Sequence, residues 1–251
     1  MAVTKYLIAC ISFIFCVEAF GQDPISSQNT SNPLYLNPGY AGSLGCSRLG
    51  LNFRDNFSTQ FGSNSNTNVS YDQYVKFLHG GIGLQYMSNK IGKDTLSISA
   101  ISLIYALNIN INKNLHIRPA LNIAYSQIVM GKNYNEDQSL ANQIPPSSQG
   151  IFTSKFGFGL LGLYKNFSSG IYIDNITGET IGFISYKRIP YRYMAHTNYK
   201  FSFNDKLDLL TGMVYQEQGR TKIYNPSVIA KYKEHFKFGI ATRIEKYNLI
   251  I

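Results

Sequence analysis

The chain has no tryptophan and little charge: Asp, Glu, Lys and Arg together make up 15% of its 251 residues. That is sparse for a soluble surface. The aromatic content rests on 19 Tyr and 16 Phe, and tyrosine suits a membrane interface because its ring lies in the apolar layer while its hydroxyl stays wet. Cysteine is almost missing as well. Of Cys10, Cys16 and Cys46, the first two lie in the N-terminal segment, and Cys46 alone cannot form an internal disulfide, which excludes a disulfide-stapled secreted domain. Beyond the first twenty residues no apolar run is long enough for a spanning helix, and no window keeps a helical period.

Chemistry-bearing motifs are equally scarce. There are no paired carboxylates, no zinc-type Cys/His spacing and no nucleophile elbow, and the four histidines are scattered. The sequence assigns no catalytic residue, metal ligand or cofactor, and reads as non-enzymatic. Gly157-Phe158-Gly159-Leu160-Leu161-Gly162 matches the letters of a dinucleotide-binding loop. Such a loop must end a strand and open a helix. This segment instead stays apolar through Tyr164 and then turns at Lys165-Asn166, so a strand with close-packed glycines is expected.

The first residues point to export. Lys5 precedes a nearly unbroken apolar stretch from Tyr6 to Val17, and Ala19-Phe20-Gly21 fits a small-x-small cleavage site. A signal peptide over 1–21 is expected, with the mature chain beginning at Gln22. The net charge of +9 is distributed through turns (Lys113, Lys165, Lys206, Lys233) and not gathered in one patch. Acidic lipid headgroups or an acidic partner fit this pattern better than nucleic acid.

Alternation is what the chain has in abundance. In 115–126, Leu115, Ile117, Leu121, Ile123 and Tyr125 share one face of an extended strand; His116, Arg118, Ala120, Asn122, Ala124 and Ser126 share the other. The same period predicts eleven strands, at about 47–57, 66–76, 80–88, 97–110, 115–130, 156–164, 168–174, 192–203, 206–216, 221–232 and 236–246. Pro226 has no N–H to give a ladder and is expected at an irregularity. Connections at 77–79, 112–114, 165–167, 204–205 and 233–235 are tight, whereas 58–65, 89–96, 131–155 and 175–191 are longer and polar. This sorting predicts an all-β, antiparallel transmembrane β-barrel of eleven strands, or twelve if 175–191 holds another. The expected organisation is a signal peptide (1–21), a Pro/Gly arm or plug (22–46) and an outer-membrane barrel (47–251).

Ahead of the first strand stands Asn32-Pro33-Leu34-Tyr35-Leu36-Asn37-Pro38-Gly39-Tyr40-Ala41-Gly42-Ser43, followed by Arg54-Asp55-Asn56-Phe57. The two prolines fix φ and bias the preceding asparagines to extended geometry, so a rigid non-ladder segment is expected over 32–43, packed in the lumen or at the periplasmic rim. The block resembles the opening of the PorP/SprF family of Bacteroidetes outer-membrane proteins, with Gly39 and Phe57 where the family has Ala and Trp. The motif residues carried over are Asn32, Pro33, Asn37, Pro38, Tyr40, Gly42, Ser43 and Arg54. Gly80 to Leu84, Lys155 to Gly159 and Gly239 to Arg243 follow in the family's order.

The resemblance implies an outer-membrane component of type IX secretion and gliding motility. Its implied partners are outer-membrane lipid, a secreted surface protein with a C-terminal sorting domain, and periplasmic components of the system. The family barrel is larger than the strands counted here, so an incomplete barrel is expected, with no ladder joining the first and last strands. A passive pore and a secreted soluble adhesin are the competing readings.

Overall fold

The computed structural model describes residues 32–58, 62–91, 96–130, 150–178, 180–181, 187–204, 206–233 and 236–247. The strands are β1 (Arg48–Ser58), β2 (Gly62–Val75), β3 (Gly80–Ile91), β4 (Leu96–Leu107), β5 (Ile109–Asn110), β6 (Leu115–Met130), β7 (Ile151–Tyr164) and β8 (Phe167–Asp174). They continue with β9 (Thr180–Ile181), β10 (Lys187–Arg188), β11 (Arg192–Asn204), β12 (Leu207–Gln218), β13 (Thr221–Tyr232), β14 (Phe236–Ala241) and β15 (Ile244–Tyr247). Thirteen of them form one antiparallel sheet in the order β1-β2-β3-β4-β6-β7-β8-β11-β12-β13-β14. Within it β5 extends β4 along β6, and β15 extends β14 along β13. The eleven positions along this path match the eleven strands read from the alternation. Among the described residues of 175–191, β9 and β10 pair with each other outside the main sheet.

Both prolines inside strands sit at interruptions. Along β6, the pairing with β4 ends at Ala120 and resumes with β5 at Ile117, so Pro119 falls in the gap. Along β13, β14 pairs as far as Ser227 and β15 resumes at Tyr224, which leaves Pro226 between them. A residue without an N–H is tolerated where the ladder is already broken.

Two expected loops prove to be strand. β2 begins at Gly62 and β3 runs to Ile91, so the polar stretches 58–65 and 89–96 shrink to short connections. Ser63 to Asn68 shows no apolar alternation, yet each of its residues pairs with β1, and from Asn64 onward also with β3, so its backbone groups are satisfied. Likewise β7 starts at Ile151, five residues earlier than expected.

Side chains sort by face as the alternation requires. On β6, Leu121, Ile123 and Tyr125 are exposed while Asn122, Ala124 and Ser126 are buried. Outward positions continue across the ladders, with Leu121 between Tyr105 and Phe158, and Ile123 between Leu103 and Phe156. The outer surface is therefore apolar and the concave side polar, the reverse of a soluble sandwich. Strands of 12 to 16 residues exceed the length that crosses a bilayer.

Among the described residues the sheet is not closed: β1 pairs only with β2, and β14 and β15 pair only with β13. The missing seam agrees with the expectation that no ladder joins the first and last strands. All six residues of β14 are exposed.

Candidate functional site

The segment ahead of β1 is built from two Asn-Pro units, each of which starts a turn. Asn32 caps the helix α1 (Pro33–Leu36): its Oδ1 accepts from Tyr35 N at 3.4 Å, and Pro33 takes the first helical position, where a missing N–H costs nothing. Asn37 is extended (φ −159°, ψ 123°), and its N–H closes α1 on Pro33 O at 2.9 Å. Its Oδ1 then accepts from Gly39 N at 2.8 Å and starts a 3-10 turn over Pro38–Tyr40. Gly42 follows with φ +63°, a conformation that favours glycine.

This compact segment lies against the concave face of the sheet and touches strands from one side of it to the other. Asn37 is fully buried, and its Nδ2 donates to Leu160 O (3.2 Å) on β7 and Ile171 O (3.0 Å) on β8. The same nitrogen stands 3.3 Å from His196 Nε2 on β11. Arg118, 3% exposed on β6, donates from Nε to Gly39 O at 2.8 Å, from Nη2 to Ala41 O, and from Nη1 to Asn108 Oδ1 at 2.9 Å. On the other side, Arg48 of β1 forks onto Asp72 of β2 at 2.8 and 3.1 Å, and Asp72 Oδ2 also accepts from Gly42 N at 2.7 Å. Arg48 Nη2 reaches Tyr40 O at 3.2 Å. Gln85 Nε2 of β3 donates to Asn32 Oδ1 at 3.2 Å.

Apolar contacts complete the docking. Leu34 and Ala41 pack with Ile104, Ala106 and Ala120, while Leu36 packs with Tyr172, Met194 and Val214; Tyr40 touches both groups. The Tyr40 hydroxyl lies 3.2 Å from Ser168 Oγ and accepts from Asn198 Nδ2 at 3.4 Å. Burial pushes its phenol above the usual tyrosine range, so it stays protonated.

The glycines of the dinucleotide-like match are accounted for here. A Cβ on Gly159 would stand 2.6 Å from Asn37 Oδ1 and 2.7 Å from Pro38 Cγ. Gly159 thus makes room for the segment, whereas a Cβ on Gly157 would stand 2.8 Å from the Tyr172 ring and one on Gly162 would meet only Ser169 O, at 3.6 Å; β8 follows in place of a helix.

Along the same face, Leu34 and Tyr35 form one wall of a chamber of about 60 Å³ whose lining mixes apolar side chains such as Met87 and Ile98 with Gln85, Asn122, Asp174 and Arg192. Asp174 and Arg192 are a buried ion pair at 2.7 Å, and the guanidinium lies 4.5 Å over the Tyr35 ring. Burying such a pair carries a desolvation cost that close geometry offsets in part; the 2.7 Å contact is joined by the Tyr35 ring, while Asp174 Oδ1 has no hydrogen-bond partner among the described residues.

Of the motif residues, Asn32, Pro33, Asn37, Pro38, Tyr40, Gly42 and Ser43 lie together, with Ser43 N closing the last turn on Tyr40 O at 3.0 Å. Arg54 does not join them. It lies six residues beyond Arg48 on β1, about 20 Å along the strand, within electrostatic reach of Arg243. The receiving residues Arg48, Asp72, His196, Asp174 and Arg192 do not stand out in the sequence. Their one signal is an ionisable side chain at the inward position of a strand that is otherwise polar and small on that face.

A search of curated proteins finds no match. A family model described as type IX secretion system membrane protein PorP/SprF matches residues 18–251. With nearly the whole chain covered, and a polar-lined antiparallel sheet behind the Asn-Pro segment, the chain belongs to the PorP/SprF family of type IX secretion system membrane proteins.

Proposed function

We propose that this chain is a non-enzymatic outer-membrane component that docks or anchors secreted cell-surface proteins during type IX secretion. In this reading residues 1–21 are the signal peptide, 22–46 the arm, and 47–251 the membrane-embedded sheet. The motif segment Asn32 to Ser43 acts as the fixed floor of the concave side. The expected partners are a secreted protein with a C-terminal sorting domain and the periplasmic components of the system.

One observation carries the choice of docking over passive conduction. The concave face is filled by a segment whose Asn37 is fully buried and bonded to two strands, while Gly42 and Tyr40 are bonded to the Arg48–Asp72 pair. A pore for small solutes needs that space open. The soluble adhesin reading is opposed by the outer face, where Leu49, Leu51 and Phe53 of β1 and Leu103 of β4 each expose more than 60% of their surface.

The test compares native cells with and without the chain. Loss of surface display of sorting-domain proteins, with those proteins recovered alongside the detergent-extracted chain, is the expected result. Unchanged display, together with steady ion conductance by the purified chain in planar bilayers, would favour the pore.

A further inference from the structure

In this meander, alternate connections fall at the same end of the sheet. The short turns between β2 and β3, β5 and β6, β7 and β8, β11 and β12, and β13 and β14 therefore form one rim. Each carries one lysine: Lys76, Lys113, Lys165, Lys206 and Lys233, and all five are exposed. Against these five the same turn sequences hold two acidic residues, Asp205 and Glu234.

Beside the lysines stand exposed apolar side chains. Phe77 adjoins Lys76, Ile111 precedes Lys113, Tyr164 and Phe167 flank Lys165, Phe203 precedes Lys206, and Tyr232 and Phe236 bracket Lys233. The Nζ of Lys165 lies 5.6 Å from the centre of the Tyr164 ring, and that of Lys233 lies 5.4 Å from the Tyr232 ring. Exposed rings at strand ends mark the boundary between hydrocarbon and headgroup. A lysine one to three residues from such a side chain, in the turn itself, places its ammonium at the depth of lipid phosphates, with its methylene stem lying along the apolar layer.

We propose that this rim is a binding belt for anionic phospholipid headgroups of the periplasmic leaflet, with one ammonium per turn setting the depth and tilt of the sheet. The regular spacing, one cation for each hairpin around the perimeter, fits a continuous lipid annulus. A discrete acidic protein would need the charges gathered on one side. The inference rests on the membrane placement of the sheet and is independent of the docking role.

The experiment uses the full chain reconstituted in nanodiscs of equal parts phosphatidylglycerol and phosphatidylcholine, followed by native mass spectrometry of the lipids retained on release. Lys76, Lys113, Lys165, Lys206 and Lys233 are replaced together by Gln in one variant and by Arg in another. The unaltered chain should retain phosphatidylglycerol at least about fivefold over phosphatidylcholine, since one lysine near an anionic surface already supplies a factor of that size. The Arg variant should keep the enrichment and the Gln variant should lose it. Comparable β-sheet circular dichroism in all three excludes misfolding as the cause. Equal enrichment in the Gln variant, or none in the unaltered chain, overturns the proposal. So does a Gln variant that keeps its lipid preference but loses an acidic periplasmic protein.

Discussion

The two faces of β6 meet different solvents. Outward, Leu121, Ile123 and Tyr125 each leave half or more of their surface uncovered by protein. Inward, Asn122, Ser126 and Arg118 are buried against the chamber and the Asn-Pro segment. In a soluble domain the exposed face is polar and the buried face apolar; here both relations are inverted. The inversion fixes what each face can tolerate. Charge is excluded where water is absent, and polar atoms inside are costly wherever they lack a partner, because the arm, and not solvent, covers them.

The largest loss is expected when an inward ion pair is split. Asp174→Ala removes the carboxylate from the buried Arg192 guanidinium and should lower stability by about 3–5 kcal/mol, read as a shift in the urea midpoint of the chain folded in lipid vesicles. Next in size is the outer face. Leu121→Arg should cost about 2–4 kcal/mol in the same assay if that position lies near the bilayer midplane. A cost near zero would place Leu121 in water and sink the assignment of the two faces.

Smaller effects sharpen the picture of the arm. Asn37→Ala removes the donor shared by Leu160 O and Ile171 O, and should cost about 1–3 kcal/mol. It should also make the bond after Tyr35 or Tyr40 cleavable by chymotrypsin while the sheet stays protected. Smallest of all is Lys222→Ala. Its Nζ is 3.7 Å from Glu217 and both side chains are about one-third exposed, so the change should stay within about 1 kcal/mol.

Much of this architecture is legible in the sequence. Period-two alternation places Leu121 and Asn122 on opposite faces and puts Arg118 inward, because a strand's side chains have only two directions. The paired Asn-Pro units announce rigid turns, since proline fixes φ and asparagine caps. Depth and partners are not legible. Nothing in the spacing ties Asn37 to Leu160 or His196, more than 120 residues away in sequence. Nor does it tell that Asp72 Oδ2 accepts both from Arg48 and from the amide of Gly42, because register between strands is set by ladders and turns together. The polar start of β2 escapes the pattern because alternation reports a difference between faces, and Ser63 to Asn68 is polar on both.

Whether the Asn-Pro segment sits on the concave face can be read from one cross-link. A Cβ built on Gly83 lies 3.6 Å from the Cβ of Ala41, within the range that a disulfide spans. In a chain whose native cysteines are replaced by serine, Ala41→Cys with Gly83→Cys should form an intramolecular disulfide in the outer membrane, seen as two thiols lost to alkylation and restored by reductant. Two free thiols in the folded, membrane-inserted chain would mean that the segment lies away from the concave face.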